Sequence, residues 1–475
     1  MRSVVLVAAL WSASGCGKRI NPAWCQQAEN QSAAECPAAI ADAQVQETAC
    51  HDNSDCARDP LNHFCDTAMS ADVCVECLDN TNCADPTSPI CTTDHHVCLP
   101  CQHDFECGTG GGKYCQDGQC YMSTDAYYAS PQGHGDPNMC LQATPCSLAD
   151  GLARAISGHK VLRLIGDGSG AIFHVTSPIT LGADGPTLRI SGVSDPTTRI
   201  AIDGGGNLNP VIKIIGGTIE LDFLTVQGAK GTALACSAGN FVGRRLYIHD
   251  LADDGQSAAF SASSACKLTL DASVITTNKH GALNVSGGSD TPFEIHNNVF
   301  AKNTGGPAVT LSGNGRFEYN TVDGNHGKDG TSGVLCNEAD GVRLDMNILS
   351  NNRLDNPPTK PNPDPKKPPT VQPAPQYVGC TMEHGFSDDN ADLQFGGGSD
   401  PFTQYRLTPP SFEVLGGTPL SVVNISDVVC AGMTDIDMTP RPAYARCDMG
   451  ADECSDCQKN DSRNVGYDEQ TPNGH

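Results

Sequence analysis

Twelve cysteines between positions 50 and 120 constrain this chain more than any other feature. They fall into three units of four: Cys50, Cys56, Cys65, Cys74; then Cys77, Cys83, Cys91, Cys98; then Cys101, Cys107, Cys115, Cys120. Cys74, Cys77, Cys83 and Cys91 recur 24 positions later as Cys98, Cys101, Cys107 and Cys115, and each unit opens on a polar five-residue spacer, HDNSD, LDNTN or QHDFE. Units so poor in apolar residues cannot bury a core, so cross-links must hold them, and disulfides persist only in an oxidising compartment. The chain is therefore expected to be exported. Cys74-x-x-Cys77 and Cys98-x-x-Cys101 also have zinc-knuckle spacing, but the regular placing of the cysteines around the spacers and the oxidising context favour disulfides. Spacing leaves open which cysteine pairs with which.

Export is written a second time at the amino terminus. Arg2, the apolar run Val4 to Leu10 and the small residues Ala13-Ser14-Gly15 before Cys16 have the order of a signal peptide over residues 1–15. The apolar run is too short to span a bilayer. The stretch resembles the lipobox of bacterial lipoproteins, with Ala13 where that family usually has leucine, and the resemblance implies that Cys16 is diacylated and becomes the first mature residue. An ordinary secretory signal cut at the same bond is the other reading. Setting Cys16 aside leaves 24 of the 25 cysteines, a number that can pair completely. Gly17, not aspartate, follows, so retention at an inner membrane is not indicated.

Charge excludes several partners. The formal charge is −26, and −27 without residues 1–15, which hold one arginine and no acid. Such a surface repels phosphate backbones and anionic headgroups, so nucleic acid is not expected as a ligand, and membrane contact is expected through the lipid alone. Aromatics make up 5% of the chain, and both tryptophans, Trp11 and Trp24, lie near the amino terminus. Sugar-stacking platforms further on would have to be Tyr or Phe.

Residues 16–49 are polar, with Cys25 and Cys36 as a candidate pair, and read as a tether. Residues 50–120 are the cysteine units, which resemble short modules found in tandem in secreted proteins of myxobacteria and relatives. Near position 140, Cys140 and Cys146 are close enough to pair. Leu148, Leu152, Ala155 and Ile156 then share one helical face behind a capping box of Ser147 and Asp150. From there short apolar runs alternate with Gly/Asp turns, and one pattern repeats. Ser273-x-Ile275-x-x-Asn278, Asn298-x-Phe300-x-x-Asn303, Asn320-x-Val322-x-x-Asn325 and Asn347-x-Leu349-x-x-Asn352 end on asparagines 25, 22 and 27 residues apart. Earlier copies keep strands at Leu221 to Val226, Arg245 to Ile248 and Ala258 to Ser261. A period of 20 to 30 residues made of short strands predicts a solenoid. Asn278, Asn303, Asn325 and Asn352 are expected at turns between coils, where asparagine tolerates left-handed backbone and its amide can bond the asparagine stacked above.

Residues 125–355 resemble the pectin-lyase-like group, which implies an all-β fold: a right-handed parallel β-helix with an amino-terminal capping helix at Pro145 to Asp150, preceded by disulfide-rich modules. Few Asn-Gly or Asp-Gly pairs are placed for the hairpins of a β-sandwich. Residues 356–376 hold nine prolines between Asn356 and Pro375 and are expected to be a loop, neither sheet nor helix, clipped at its base by Cys336–Cys380. Residues 377–457 read as the end of the β-helix region, where Pro440-Arg441-Pro442 and Cys447-Asp448-Met449-Gly450-Ala451-Asp452-Glu453 resemble the carboxy-terminal pair of motifs in secreted bacterial β-helix proteins. Residues 458–475 are a polar tail. Cys236–Cys266, Cys430–Cys447 and Cys454–Cys457 are further candidate pairs.

No complete catalytic set stands out. Asp253-Asp254-Gly255 with Lys279-His280-Gly281 one coil later resembles, in part, the paired aspartates and Gly-His-Gly of polygalacturonases, so Asp253, Asp254 and His280 are the candidate acid–base groups. The Asn-Thr-Asp and Arg-Ile-Lys elements of that family are absent. Asp435, Asp437 and the acidic spacers are candidate calcium ligands; no other cofactor is expected. The expectation is a monomeric surface lipoprotein, or a secreted protein, whose solenoid binds a glycan or a protein without chemistry. The alternatives are a hydrolase or lyase of acidic polysaccharide, and a structural envelope or spore-coat component.

Overall fold

The computed structural model describes residues 50–56, 64–66, 73–86, 88–91, 96, 98–101, 104–107, 113–116, 119–158, 161–167, 171–182, 187–192, 199–253, 255, 257–328, 330–355, 357, 359–360, 370–371, 375–383 and 385–388. Cys16, the pairs Cys25–Cys36, Cys430–Cys447 and Cys454–Cys457, and Asp254, Asp435 and Asp437 lie outside these residues. The chain divides into two compact units, 1–83 with 91–98, and 84–90 with 99–475.

In the first unit the cysteines are oxidised in a crossed pattern: Cys50–Cys65 and Cys56–Cys74, then Cys77–Cys91 and Cys83–Cys98. First joins third and second joins fourth. The polar spacers serve this arrangement. The Asn53 side-chain oxygen accepts the Cys65 N–H at 2.8 Å, and Asn80, at the same place in its spacer, accepts the Cys91 N–H at 2.8 Å. Asp52 and Asp79 turn back onto the N–H groups of Ser54 (2.7 Å) and Thr81 (2.8 Å). The core of the first module is Cys50, Cys56 and Cys65 with Cys74 against them. These sulfurs are covalently paired, so the zinc-knuckle alternative has no thiolates to offer.

The third module belongs to the second unit and repeats the crossing, Cys101–Cys115 and Cys107–Cys120. Its hairpin pairs Lys113–Gln116 with Gln119–Met122, stacking Tyr114 on Tyr121 at 5.8 Å. Tyr114, Ala126 and Tyr128 form one buried cluster, and the Arg163 guanidinium sits 4.9 Å from the Tyr114 ring centre. Burial, only partly opposed by Arg163, pushes the Tyr114 hydroxyl well above the usual phenol range. The module therefore runs without a break into the first parallel strand, Ala126–Ala129, which pairs with Val161–Leu164.

Between them lie the Cys140–Cys146 disulfide and helix α1, Leu148–Gly158. Ser147 accepts the Asp150 N–H at 3.2 Å. The buried line of α1 is Gly151 and Ala155, with Leu148 and Leu152 alongside, whereas Ile156 is 42% exposed. That corrects the four-residue face expected from periodicity. A Cβ on Gly151 would come within 2.8 Å of Leu162, so the helix approaches the first coil along its small residues and rotates Ile156 outward.

Beyond α1 the chain is a solenoid of three parallel sheets. The first runs through Ile179–Gly182, Ile212–Gly216, Leu234–Cys236, Phe260–Ala262, Leu283–Gly287 and the early parts of Val309–Glu318 and Val334–Asp345. The second stacks Val161–Leu164, Leu188–Gly192, Thr218–Asp222, Gly239–Arg244, Cys266–Asp271, Phe293–His296 and the later parts of the two long strands. The third has nine strands, from Ile172–His174 to Gly385–Asp388. Alternate side chains point inward, so each coil lays Leu, Ile, Val or Phe on its neighbour, as in the stack of Phe300 on Phe317 at 5.7 Å. Each fully buried side chain of this size contributes about 1.5 to 3 kcal/mol. From Val274 to Ile348 the outward residues of the third sheet are buried as well, Val274, Val299 and Ile348 at 0% exposure, which leaves that face out as a ligand surface.

Two corners of each coil flank the third sheet. Between the second and third sheets one residue per coil has positive φ: Phe223, Arg245, Ala272, Asn297, Tyr319, Met346. Leu221 to Val226 is therefore not one strand but two, broken at Phe223 (φ 55°). After the third sheet the same role falls to Asp250, Thr277, Lys302, Gly324 and Asn351. The ladder asparagines follow these residues and carry no left-handed strain themselves, a correction to the expected reason for asparagine there. Their reason is hydrogen bonding. Asn278, Asn303, Asn325 and Asn352 are all fully buried, each donating its amide to the oxygen of the next. Asn298, Asn320 and Asn347 form a second ladder at the other corner, ending on the Ser273 N–H.

The disulfides Cys236–Cys266 and Cys336–Cys380 tie one coil to the next. The proline-rich stretch departs from expectation, because Thr359–Lys360 pairs antiparallel with Thr370–Val371. None of those four residues is proline, so their N–H groups remain free to make a ladder. Immediately afterwards Gln376 caps the first asparagine ladder, its Oε1 accepting from the Asn352 side chain at 2.8 Å and its Nε2 donating to the Asn352 carbonyl at 2.9 Å.

Candidate functional site

The corner after the third sheet brings together two of the three candidate acid–base residues. His280 Nε2 pairs with Asp253 Oδ1 from the preceding coil. Asp253 also accepts the Gly255 N–H at 2.7 Å, and its carboxyl is held below the usual range chiefly by the His280 bond, then by Gly255. The His280 ring is mostly covered, at 13% side-chain exposure, while Asp253 is 50% exposed. A Cβ on Gly305 of the next coil would stand 3.3 Å from His280 Nδ1, so that coil walls the ring. Among the described residues this is an imidazole held by one carboxylate. Among the described residues, the only groups of three His, Cys, Asp or Glu whose ligand atoms lie within 4.8 Å of one another are disulfide cysteines. An acid–base pair of carboxylates, as glycoside hydrolysis needs, is not assembled around Asp253 and His280 by these residues.

A second set was missed in the sequence. On the outer side of the second sheet, Asp222, Arg244, Asp271, His296, Glu318 and Asp345 occupy one register column, one per coil. Asp222 takes a two-point bond from the corner residue Arg245, Nε at 3.0 Å and a terminal nitrogen at 2.6 Å, and that guanidinium lies 3.7 Å over the Phe223 ring. Asp271 accepts from His296 at 2.9 Å and Asn297 at 3.1 Å. Arg343 bonds Asp345 at 2.8 Å and Glu383 at 3.2 Å, and Arg189 bonds Glu220 at 3.0 Å. The signal was available: Asp271, His296, Glu318 and Asp345 each stand two residues before Ser273, Asn298, Asn320 and Asn347.

Burial alone would depress His296, but the bond and charge of Asp271, with Glu294 and Glu318, outweigh it and hold the imidazole above its usual value. Burial would raise Asp271, yet His296, Asn297 and Arg244 together bring it below the usual range. The raised His296 contributes stability fully below about pH 6.5 and loses it as pH climbs through its folded value; the lowered Asp271 contributes above about pH 4 and loses it as pH falls through its own. The pair therefore stabilises most between these limits. NMR titration is expected to find His296 above about 6.5, returning toward it in Asp271→Asn. An unshifted ring in the parent protein contradicts the assignment.

The outer side of the first sheet is different. Thr180, Lys213, Ala235, Ser261, Asn284 and Thr310 form its register column, with Lys213 the one charge among them.

The family model described as the right handed beta helix region matches residues 235–357. No curated protein matches the chain. Among solved structures the chain is similar to pectate lyase Pel9A, at 12% identity and a TM-score of 0.39, over 69% of this chain and 96% of that one. Residues 235–357 thus form a right-handed β-helix, with the parallel stacking that the strand register shows.

Proposed function

We propose that this is an exported protein, tethered to the cell envelope through a lipid on Cys16, whose β-helix binds a glycan lengthwise without cleaving it. The observation that carries the reading is the register itself. Successive coils place equivalent side chains about 4.8 Å apart in straight outward columns, a repeating surface suited to a repeating polymer. Three carboxylates of the second-sheet column are already bonded, Asp222 by Arg245, Asp271 by His296 and Asp345 by Arg343, which favours a recognition surface over groups poised for proton transfer. Nine disulfides among the described residues agree with an oxidising compartment.

The competing reading, cleavage of an acidic polysaccharide, is favoured by one observation, the contact of Asp253 with His280. A glycan array run beside a reducing-end assay separates the two. The expected result is binding with no release of reducing ends, unchanged in Asp253→Asn and His280→Ala. Turnover that falls at least tenfold in both variants, with the thermal transition intact, would establish the enzyme instead.

A further inference from the structure

We infer that residues 389–475 run back along the outer face of the third sheet and seat on it as an intramolecular strap, instead of adding coils beyond it. At its first coil this face is open, with Ile172 41% exposed. The outward column that begins there continues to Val274, Val299, Thr321 and Ile348. Val274, Val299 and Ile348 have no exposure, and Ala301, one column over, has none either. Pointing outward does not by itself bury a side chain in this fold. Ala235 and Ser261, small residues in the outward column of the first sheet, stay half-exposed. The third sheet is therefore covered from Val274 to Ile348. Among the described residues no strand or helix forms a layer there: its nine strands neighbour one another, and α1 packs on strands of the second sheet.

The cover keeps water out. Thr276 Oγ1, on this face, is buried with no partner among the described residues. Burial lifts the Asp323 carboxyl above the usual carboxylate range, against the bonds it accepts from Ser350 at 2.7 Å and Asn351 at 3.3 Å. The course of the chain names the occupant. Its last described strand, Gly385–Asp388, is the end strand of this same sheet, so residues 389–475 start at the edge of the covered face. Four coil spacings, about 19 Å, separate that strand from the one holding Val274, and about six extended residues cross them. Residues 389–475 also hold apolar side chains in need of burial. Leu420, Val422, Val423, Ile425, Val428 and Val429 fall within ten positions, in a chain of formal charge −26. Left bare, they and the strip from Val274 to Ile348 would each be an adhesive patch; seated together, both leave water.

The test uses the full oxidised chain with a photoreactive diazirine side chain placed at Val299 and, separately, at Ile348, followed by digestion and mass spectrometry. Cross-links to residues 389–475 of the same chain are expected from both positions. Cross-links into residues 361–369, into residues 1–49 or into a second copy, or only into neighbouring coils, overturn the strap. Limited thermolysin digestion reads the same seat without a probe. Ala301→Glu sets a charge beneath the strap and should speed cleavage between residues 389 and 475 at least tenfold while the thermal transition of the solenoid is kept. Ser261→Glu, on the first sheet, should be cut as the parent is. Equal cleavage of the three proteins overturns the strap, and if Ala301→Glu fails to fold the cross-links decide.

Discussion

Asn325→Leu is expected to destabilise the solenoid by on the order of 4 kcal/mol, although leucine matches asparagine in size and is the commoner core residue. The Asn325 side chain accepts the Asn303 N–H at 2.9 Å and its amide at 3.0 Å, and donates to the Phe300 carbonyl at 2.9 Å and to Asn352 at 2.8 Å. Leucine removes all four bonds at a site with no exposure, and each buried group left without its partner costs about 1 to 3 kcal/mol. Asn278→Leu should cost less. Among the described residues its oxygen has no partner, because the coil before it carries Leu251 at that place, and only the bonds to Ile248 and Asn303 are lost. The midpoints of urea unfolding, followed by circular dichroism, measure the difference. Equal midpoints for the two variants, or a shift below about 1 kcal/mol for Asn325→Leu, would refute the ladder as a source of stability.

Reduction of the disulfides is expected to unfold the first two cysteine modules while the solenoid survives. Among the described residues, the buried cluster of the first module is made of cysteine alone. Its loops, 15 and 18 residues long, gain about 3 kcal/mol apiece from closure. Nothing of that size replaces it once the sulfurs are free. In the solenoid, Cys236–Cys266 and Cys336–Cys380 join coils that also share parallel ladders and a continuous apolar interior. Limited proteolysis after dithiothreitol should cut between residues 50 and 98 and leave a resistant fragment beginning near the third module. That module has protection of its own, from Tyr114 and Tyr128 against the first coil. Early loss of the solenoid, or resistance of residues 50–98, would show that the balance between covalent and apolar stabilisation is wrong.

The repeat Asn-x-apolar-x-x-Asn was legible because each coil must bury one inward residue between two corners, and both corners need an amide to satisfy backbone that water cannot reach. Gln376 obeyed the same spacing, 24 residues after Asn352, but proline-rich sequence and a different side chain hid it. The places of Asp271 and His296, two residues before their corners, were marked in the repeat, but that the two meet was not, since they are a full coil apart in sequence. The corner at Phe223 was read through because a left-handed turn needs no glycine where the surrounding coils enforce it.

What the sequence determined by itself was the class of structure: cross-linked modules followed by a parallel solenoid, because cysteine spacing, strand length and asparagine period are local quantities that survive without coordinates. What only the tertiary structure decided was which residues meet. The charged column of the second sheet and the contacts along the asparagine ladder depend on how coils of unequal length stack, and the crossed order of the disulfides on the fold of each module. Coils 25, 22 and 27 residues long keep one ladder, so contacts one coil apart are set by the stacked backbone and not by any short run of the chain.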